Sequence, residues 1–136
     1  MQITIFLIAK IAKRIPDLEI EKRVAPVEKL MEDATEKREY DRIATAYSEN
    51  AVLIHLGVSV AKGRKEIAKA FEAFGGLDLT QVKTDKEFAF DVNDGEYLMR
   101  KGKFSIAGGP WFKFMQLFER QPDGSYLVIH DEFEFQ

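Results

Sequence analysis

The sequence lacks cysteine, and it has few histidines and no excess of positive charge. Without cysteine the chain cannot form a disulfide, a thiol nucleophile or a thiolate metal site, and its redox compartment stays open. The 20 basic residues are outnumbered by 23 acidic residues, which gives a net charge of -3. A nucleic-acid-binding surface needs clustered positive charge. We therefore expect no nucleic-acid partner.

Metal-binding and phosphate-binding motifs are also missing from the sequence. Its two histidines, His55 and His130, lie far apart and form no short-spaced ligand pair. His130, Glu132 and Glu134 are two residues apart and share one face of a strand, and this pattern is typical of a solvated face. The glycines at 108–109 precede a proline and indicate a turn rather than a nucleotide loop. We predict no metal site and no cofactor.

A long hydrophobic run is the third missing feature. Residues 1–15 are largely apolar, but this run is too short to span a bilayer, and Lys10 interrupts it. A secretory signal carries positive charge before its apolar run, whereas here Lys10, Lys13 and Arg14 lie within or after it. We predict no membrane span and expect a cytoplasmic protein, with secretion left open as the alternative.

What is present fits one globular domain. The chain has 136 residues, of which 46% are hydrophobic, and this is enough for a sizeable core. Residues 17–23 are polar and charged and are predicted to form a linker. The sequence therefore divides into an N-terminal extension, residues 1–23, and a folded domain, residues 24–136.

Apolar residues at helical spacing predict three helices in the first half of the domain. They cover about residues 25–38, 40–48 and 64–74. Pro26 falls in the first turn of the first helix, where proline is accepted, and Gly75 and Gly76 end the third. Between the last two helices, residues 51–56 are typical of a strand and residues 57–62 of a tight return.

After residue 76 the pattern becomes that of strands. Turn signals at residues 93–95, 107–110 and 122–125 divide this part into four strands of a meander. The order predicts an α+β fold, in which about three helices cover one face of a curved antiparallel sheet. The strand from Trp111 to Phe118 is apolar on both faces, so its outer face needs a separate cover. We therefore predict a homodimer.

Three segments resemble the nuclear transport factor 2-like family. AYSENAVLI is similar to the junction of its short helix and first strand, KGRKEIAKAF to the start of its next helix, and PDGSYLVIHDEFEF to its closing hairpin. The phrasing is most similar to the SnoaL-like and calcium/calmodulin-kinase-association-like branch. The resemblance implies a cone-shaped, cystatin-like roll with a cavity, and it covers about residues 24–135.

The resemblance also suggests a catalytic position. Counted without gaps, the aspartate base of the similar ketosteroid isomerases falls on His55, and an imidazole can exchange protons near neutral pH. The tyrosine donor of those enzymes falls on Met31, and their acidic donor falls near Met115 or Leu117. Because these side chains cannot stabilise an enolate, the isomerase reaction itself is not expected.

Other side chains are candidates for the cavity. Asp131 is expected on the same side of its strand as Ile129 and Phe133. We consider it both as a structural hydrogen-bond anchor and as a proton-transfer group. The expected ligand-binding residues are Tyr47, Trp111, Met31, Met99 and Met115, with core packing as the alternative.

Three functions remain open at this point. The leading hypothesis is a domain that binds a small hydrophobic molecule in a mostly apolar cone cavity. The alternatives are a homodimeric protein-interaction module with a filled cavity, and a SnoaL-like isomerase, cyclase or dehydratase that uses His55 as its base. Whether the protein is an enzyme is therefore left undecided.

Overall fold

The structure is a computed structural model that describes residues 15–75, 78 and 81–136. Our predictions for residues 1–14 and for Gly76 lie outside these residues. The helices are α1 (Asp17–Glu36), α2 (Tyr40–Ala44) and α3 (Gly63–Ala73). The strands are β1 (Tyr47–His55), β2 (Ser59–Lys62), β3 (Val82–Val92), β4 (Tyr97–Ile106), β5 (Phe112–Arg120) and β6 (Tyr126–Phe133).

One sheet contains all six strands, in the order β2-β1-β6-β5-β4-β3. Strands β3 to β6 form the predicted antiparallel meander, and β1 and β2 form the predicted hairpin. One pairing differs from the expected antiparallel sheet, because β1 joins β6 in parallel. The predicted α+β fold is confirmed.

Irregular pairings bend the sheet. Between β3 and β4 the register shifts at Glu87, and between β5 and β6 it shifts at Ile129. An extra residue in one strand of a pair bends that strand and increases its twist. Gly102 lies opposite the first shift, where any side chain would collide with the backbone carbonyl of Asp85. The bend at this point therefore requires glycine.

The core lies between the three helices and the concave face of the sheet. Its largest fully buried side chains are Ile20, Val24, Ile43, Tyr47, Ile67, Leu98, Phe118 and Val128. They come from every helix and from four of the strands, so helices and sheet share one core. No helix among the described residues is long and apolar enough to cross a membrane.

The predicted linker at residues 17–23 is wrong. These residues form the first turns of α1, and Pro26 lies inside the helix rather than in its first turn. Ile20, Val24 and Val27 are buried at helical spacing. Of the two apolar residues in this polar segment, Leu18 is exposed and only Ile20 is buried. One buried position is too weak a signal to outweigh the start signal of a proline.

The predicted end of the second helix is also wrong. Helix α2 ends at Ala44, and Tyr47 begins β1 instead of continuing the helix to Ser48. Tyr47 is fully buried and its hydroxyl bonds to Asp131. The spacing of apolar residues is the same for the end of an amphipathic helix and for a helix followed by a buried strand residue.

Candidate functional site

A cavity of about 500 Å³ lies between α1, α3 and the concave face of the sheet. Its apolar lining consists of Met31, Leu53, Phe71, Phe74, Val82, Phe104, Ile106, Phe114, Phe118, Phe133 and Phe135. Its polar lining consists of Glu28, Glu32, Thr84, Lys86, Arg100, Gln116 and Asp131. The lining is therefore mostly apolar and rich in phenylalanine, and seven polar or charged side chains complete it.

Strand alternation decides which side chains reach this cavity. On β5 the residues Phe114, Gln116 and Phe118 face it, whereas Met115 and Leu117 lie on the other face of the sheet. On β6 the extra residue at Ile129 changes the phase, so Val128 and Asp131 both point inward. The shift in register is what places Asp131 in the cavity wall while Val128 stays in the core.

Asp131 is a buried acid, with 8% of its surface exposed. Its Oδ2 accepts a hydrogen bond from the Tyr47 hydroxyl at 2.7 Å and another from the Gln116 amide at 3.4 Å. Burial raises the pKa of Asp131 to about 6, and the two hydrogen bonds and the charges of His130 and Arg100 only partly oppose this rise. The carboxyl group can therefore gain or lose a proton near neutral pH.

Tyr47 lies behind Asp131 and does not line the cavity itself. It is fully buried, and its pKa is raised well above the usual value by burial and by the negative charge of Asp131. The Tyr47 hydroxyl consequently stays protonated and remains a donor to Asp131. The residue orients the acid instead of contacting a ligand, which corrects its expected place in the lining.

Arg100 is a functional candidate that the sequence analysis missed. It is 3% exposed, and its Nη1 donates to Glu28 at 2.9 Å and to Glu21 at 3.1 Å. Its Nη2 donates to the Gln116 side-chain oxygen at 3.0 Å, and its guanidinium lies 5.4 Å from the centre of the Phe118 ring. A signal was available, because Arg100 occupies an inward position between Leu98 and Gly102 in a strand.

Gln116 connects these two ionisable groups. Its amide nitrogen donates to Asp131 and its oxygen accepts from Arg100. Because an amide offers both a donor and acceptors, one side chain can satisfy an acid and a cation at the same time. The result is a continuous, partly buried chain of hydrogen bonds from Tyr47 to Glu28.

His55 does not line the cavity. Its Nε2 donates to the backbone carbonyl of Phe135 at 2.7 Å, and its ring stacks on Phe133 at 4.9 Å. Phe74 contacts the same ring edge-on at 6.3 Å. These three phenylalanines do line the cavity. The structure thus places His55 one layer behind the wall, where it holds the C-terminal residues in position.

The remaining candidates are divided between the two faces of the sheet. Met31 lies in the lining of the cavity. Met99 and Met115 alternate to the outer face, and Trp111 precedes β5 with 51% of its surface exposed. Their expected place in the lining is corrected, because the helices cover the opposite face of these strands.

His130 also lies away from the cavity. Its Nε2 is 2.9 Å from the Glu132 carboxylate on the same strand. Within the described ranges, no group of three histidine or acidic side chains is arranged to hold a metal ion.

The chain matches the model of a known protein family. The family model of the nuclear transport factor 2 (NTF2) domain matches residues 30–135 of the chain. A comparison with curated protein sequences found no significant match.

Solved structures show the same fold at low sequence identity. ActVI-ORFA from Streptomyces coelicolor has 16% identity and a TM-score of 0.65, over 85% of this chain and 96% of that one. An NTF2-like protein with a cystatin-like fold from Novosphingobium aromaticivorans has 15% identity and a TM-score of 0.61, over 87% and 82%. A ketosteroid isomerase-like protein from Erwinia carotovora atroseptica has 12% identity and a TM-score of 0.59, over 83% and 93%.

The buried state of Asp131 predicts a pH-dependent stability. An unfolded aspartate titrates near pH 3.9, so between that value and about 6 the native state keeps a proton that the unfolded chain has released. The stabilisation is complete below this window and is lost as the pH rises through it, on the order of 3 kcal/mol. Urea unfolding from pH 4 to pH 8 should show Asp131→Asn gaining stability relative to the wild type.

The matched control for this measurement is Asp85→Asn, which changes an exposed acid on β3. Its stability should parallel that of the wild type over the whole pH range. Parallel curves for Asp131→Asn and the wild type would contradict the assignment.

The contacts of His55 predict a graded set of substitutions. His55→Ala removes the bond to Phe135 and the stacked ring, and should destabilise the protein by about 1–3 kcal/mol. His55→Gln keeps a donor and should cost less. Urea unfolding at neutral pH measures both. His55→Phe keeps the stacked ring without the hydrogen-bond donor, so it separates these two contributions to stability. If all three variants are as stable as the wild type, His55 does not hold the C-terminal residues.

Proposed function

The chain belongs to the family of the nuclear transport factor 2 (NTF2) domain, and from this premise we propose that it binds a small, mostly apolar molecule in its cone cavity. The observation that carries the proposal is the cavity of about 500 Å³ with its phenylalanine lining. Ligand sites in proteins are typically concave, largely apolar and equipped with a few convergent polar groups. Asp131 and Gln116 supply such groups here.

The open cavity favours ligand binding over the alternative of an interaction module with a filled cavity. Side chains that filled the cone would leave no void beside Leu53, Phe114 and Asp131, yet the cavity reaches all three. A concave space of this size with mostly apolar walls is available to a ligand.

Acid–base catalysis in the same cavity is a second candidate. The observation that favours it is Asp131, a cavity acid whose pKa is raised to about 6 by burial. His55 is less suited to the role, because its Nε2 is engaged by the Phe135 carbonyl. Deuterium exchange into an added ring ketone that is lost in Asp131→Asn would distinguish catalysis from binding alone.

Obstruction of the cavity mouth tests the proposed binding. Thr84 lines the cavity and is exposed, so Thr84→Trp should close the entrance with little effect on the core. The neutral dye Nile red should bind the wild type saturably, and Thr84→Trp should weaken it at least about tenfold, or about 1.4 kcal/mol. Fluorescence titration measures both affinities.

Lys83→Trp is the control, because Lys83 is the neighbouring exposed residue and does not line the cavity. This variant should bind the dye as the wild type does. Equal affinity in all three proteins would place the dye outside the cavity and contradict the proposal.

We also propose that the protein is a homodimer joined through the outer face of the sheet. Side chains on this face include Phe88, Met99, Met115 and Leu117, and Phe88 is 45% exposed. In the described part of the chain the three helices pack on the other face. Apolar surface on a central sheet is a common site of self-association.

Met115→Lys should convert the dimer to a monomer. Met115 pairs with Lys101 on β4, so a lysine would put two like charges side by side in the interface. Sedimentation velocity at tens of micromolar measures the assembly. Leu18→Lys is the control, since Leu18 is 86% exposed on α1 and lies away from the sheet face. A monomeric wild type, or a dimeric Met115→Lys, would contradict the proposal.

A further inference from the structure

The two cations among the described lining residues are already neutralised. Arg100 binds Glu21 and Glu28, and Lys86 lies 2.7 Å from Glu21 and 3.8 Å from Glu28. Arg100 is nearly inaccessible. Its Nη2 donates to Gln116, its guanidinium lies against the ring of Phe118, and its Nε is enclosed without a hydrogen-bond partner among the described residues, so a ligand cannot reach it. Neither cation is therefore free to neutralise a negatively charged ligand.

Acidic groups outnumber these cations around the cavity. Glu28, Glu32 and Asp131 belong to the lining, and Glu21 adjoins it through its bonds to Lys86 and Arg100. Two positive charges thus face four carboxyl groups. In a cavity with apolar walls such an imbalance is poorly screened, so it disfavours an anion and favours a cation.

Asp131 offers an open acceptor in this space. Both of its hydrogen bonds to described residues end on Oδ2. Among those residues Oδ1 has no donor, and it is not one of the fully enclosed atoms. Since Asp131 lines the cavity, Oδ1 can accept a hydrogen bond from a ligand there. Gln116 and Tyr47 fix the carboxyl group in place from the other side.

The walls add a preference for rings. Seven phenylalanines line the cavity, and aromatic faces attract both other rings and cations. Within this wall Phe104 already contacts Phe114 and Phe135, at centroid distances of 6.5 and 6.4 Å. A flat ring is the ligand shape that these walls accommodate best.

We propose that the ligand is an aromatic amine or aromatic alcohol that donates a hydrogen bond to Oδ1 of Asp131, and that aromatic acids are rejected. This inference rests on the proposed binding of small molecules in the cavity and specifies their chemical class. The neutral aromatic body contacts the phenylalanines, and the donor end reaches the acid. An ammonium group gains the additional attraction of the surrounding carboxylates.

Three probes with the same ring test this selectivity: 1-naphthylmethylamine, 1-naphthylmethanol and 1-naphthoate. Calorimetric titration of the full chain at pH 7.5 should give the amine an affinity at least about tenfold above that of the carboxylate, with the alcohol between them. Thr84→Trp should weaken the amine and the alcohol, which places them in the cavity.

The substitution Asp131→Asn and a change of pH test whether Asp131 is the group that binds the amine. The substitution should lower the affinity for the amine by about tenfold and change that for the alcohol by less than about threefold, since asparagine remains an acceptor. Lowering the pH from 7.5 to 5 should weaken the binding of the amine more in the wild type than in Asp131→Asn. The other charged or titratable groups are the same in both proteins: Tyr47, Arg100 and His130 around the carboxyl group, and Glu21, Glu28, Glu32 and Lys86 along the rest of the cavity. Asp85→Asn should behave as the wild type.

The outcomes separate the two proposals. If the carboxylate binds as tightly as the amine or more tightly, the inferred ligand class is wrong although cavity binding stands. The same holds if Nile red binds in the cavity and none of the three probes does. If neither the dye nor any probe binds, the proposed function fails. If the affinity for the amine is unchanged in Asp131→Asn, Asp131 does not bind the amine and this part of the proposal is wrong.

Discussion

A partly buried chain of hydrogen bonds joins the sheet to the longest helix. It runs from Tyr47 on β1 through Asp131 on β6 and Gln116 on β5 to Arg100 on β4, and from there to Glu28 on α1. Each group would be costly to bury without a partner. Each residue of the chain is a hydrogen-bond partner of the next. The chain therefore connects four strands to α1 and holds part of the cavity wall in place.

This chain also explains why the cavity has its mixed character. Asp131, Gln116, Arg100 and Glu28 bond to one another along the wall, and this arrangement leaves one carboxyl oxygen of Asp131 facing a space with mostly apolar walls. Burial then raises the pKa of Asp131 to about 6, because the hydrogen bonds from Tyr47 and Gln116 only partly offset the loss of solvent. The residues that connect the strands to α1 thus also set the pKa of the acid in the cavity wall.

Much of the fold could be predicted from local patterns. The helical stripe from Val27 to Ala34, the hairpin after Ala51 and the turns that separate the last four strands all correspond to elements of the structure. The errors fall where local signals were ambiguous. Residues 17–23 contain one core residue, Ile20, and their helix is stabilised by its packing. Tyr47 fitted a helical spacing, but its burial and its bond to Asp131 place it in a strand.

The sequence by itself determined the order of elements, the α+β class and the two alternating faces of each strand, because these depend on residues close together in the chain. The tertiary structure decided which face meets the helices. Trp111, Met99 and Met115 therefore lie outside the cavity, whereas Gln116 and Arg100 lie within its wall. It also decided the phase of β6, where the extra residue Ile129 turns Asp131 inward, and the position of His55 behind the wall. These features depend on contacts between residues far apart in the sequence, which no local pattern records.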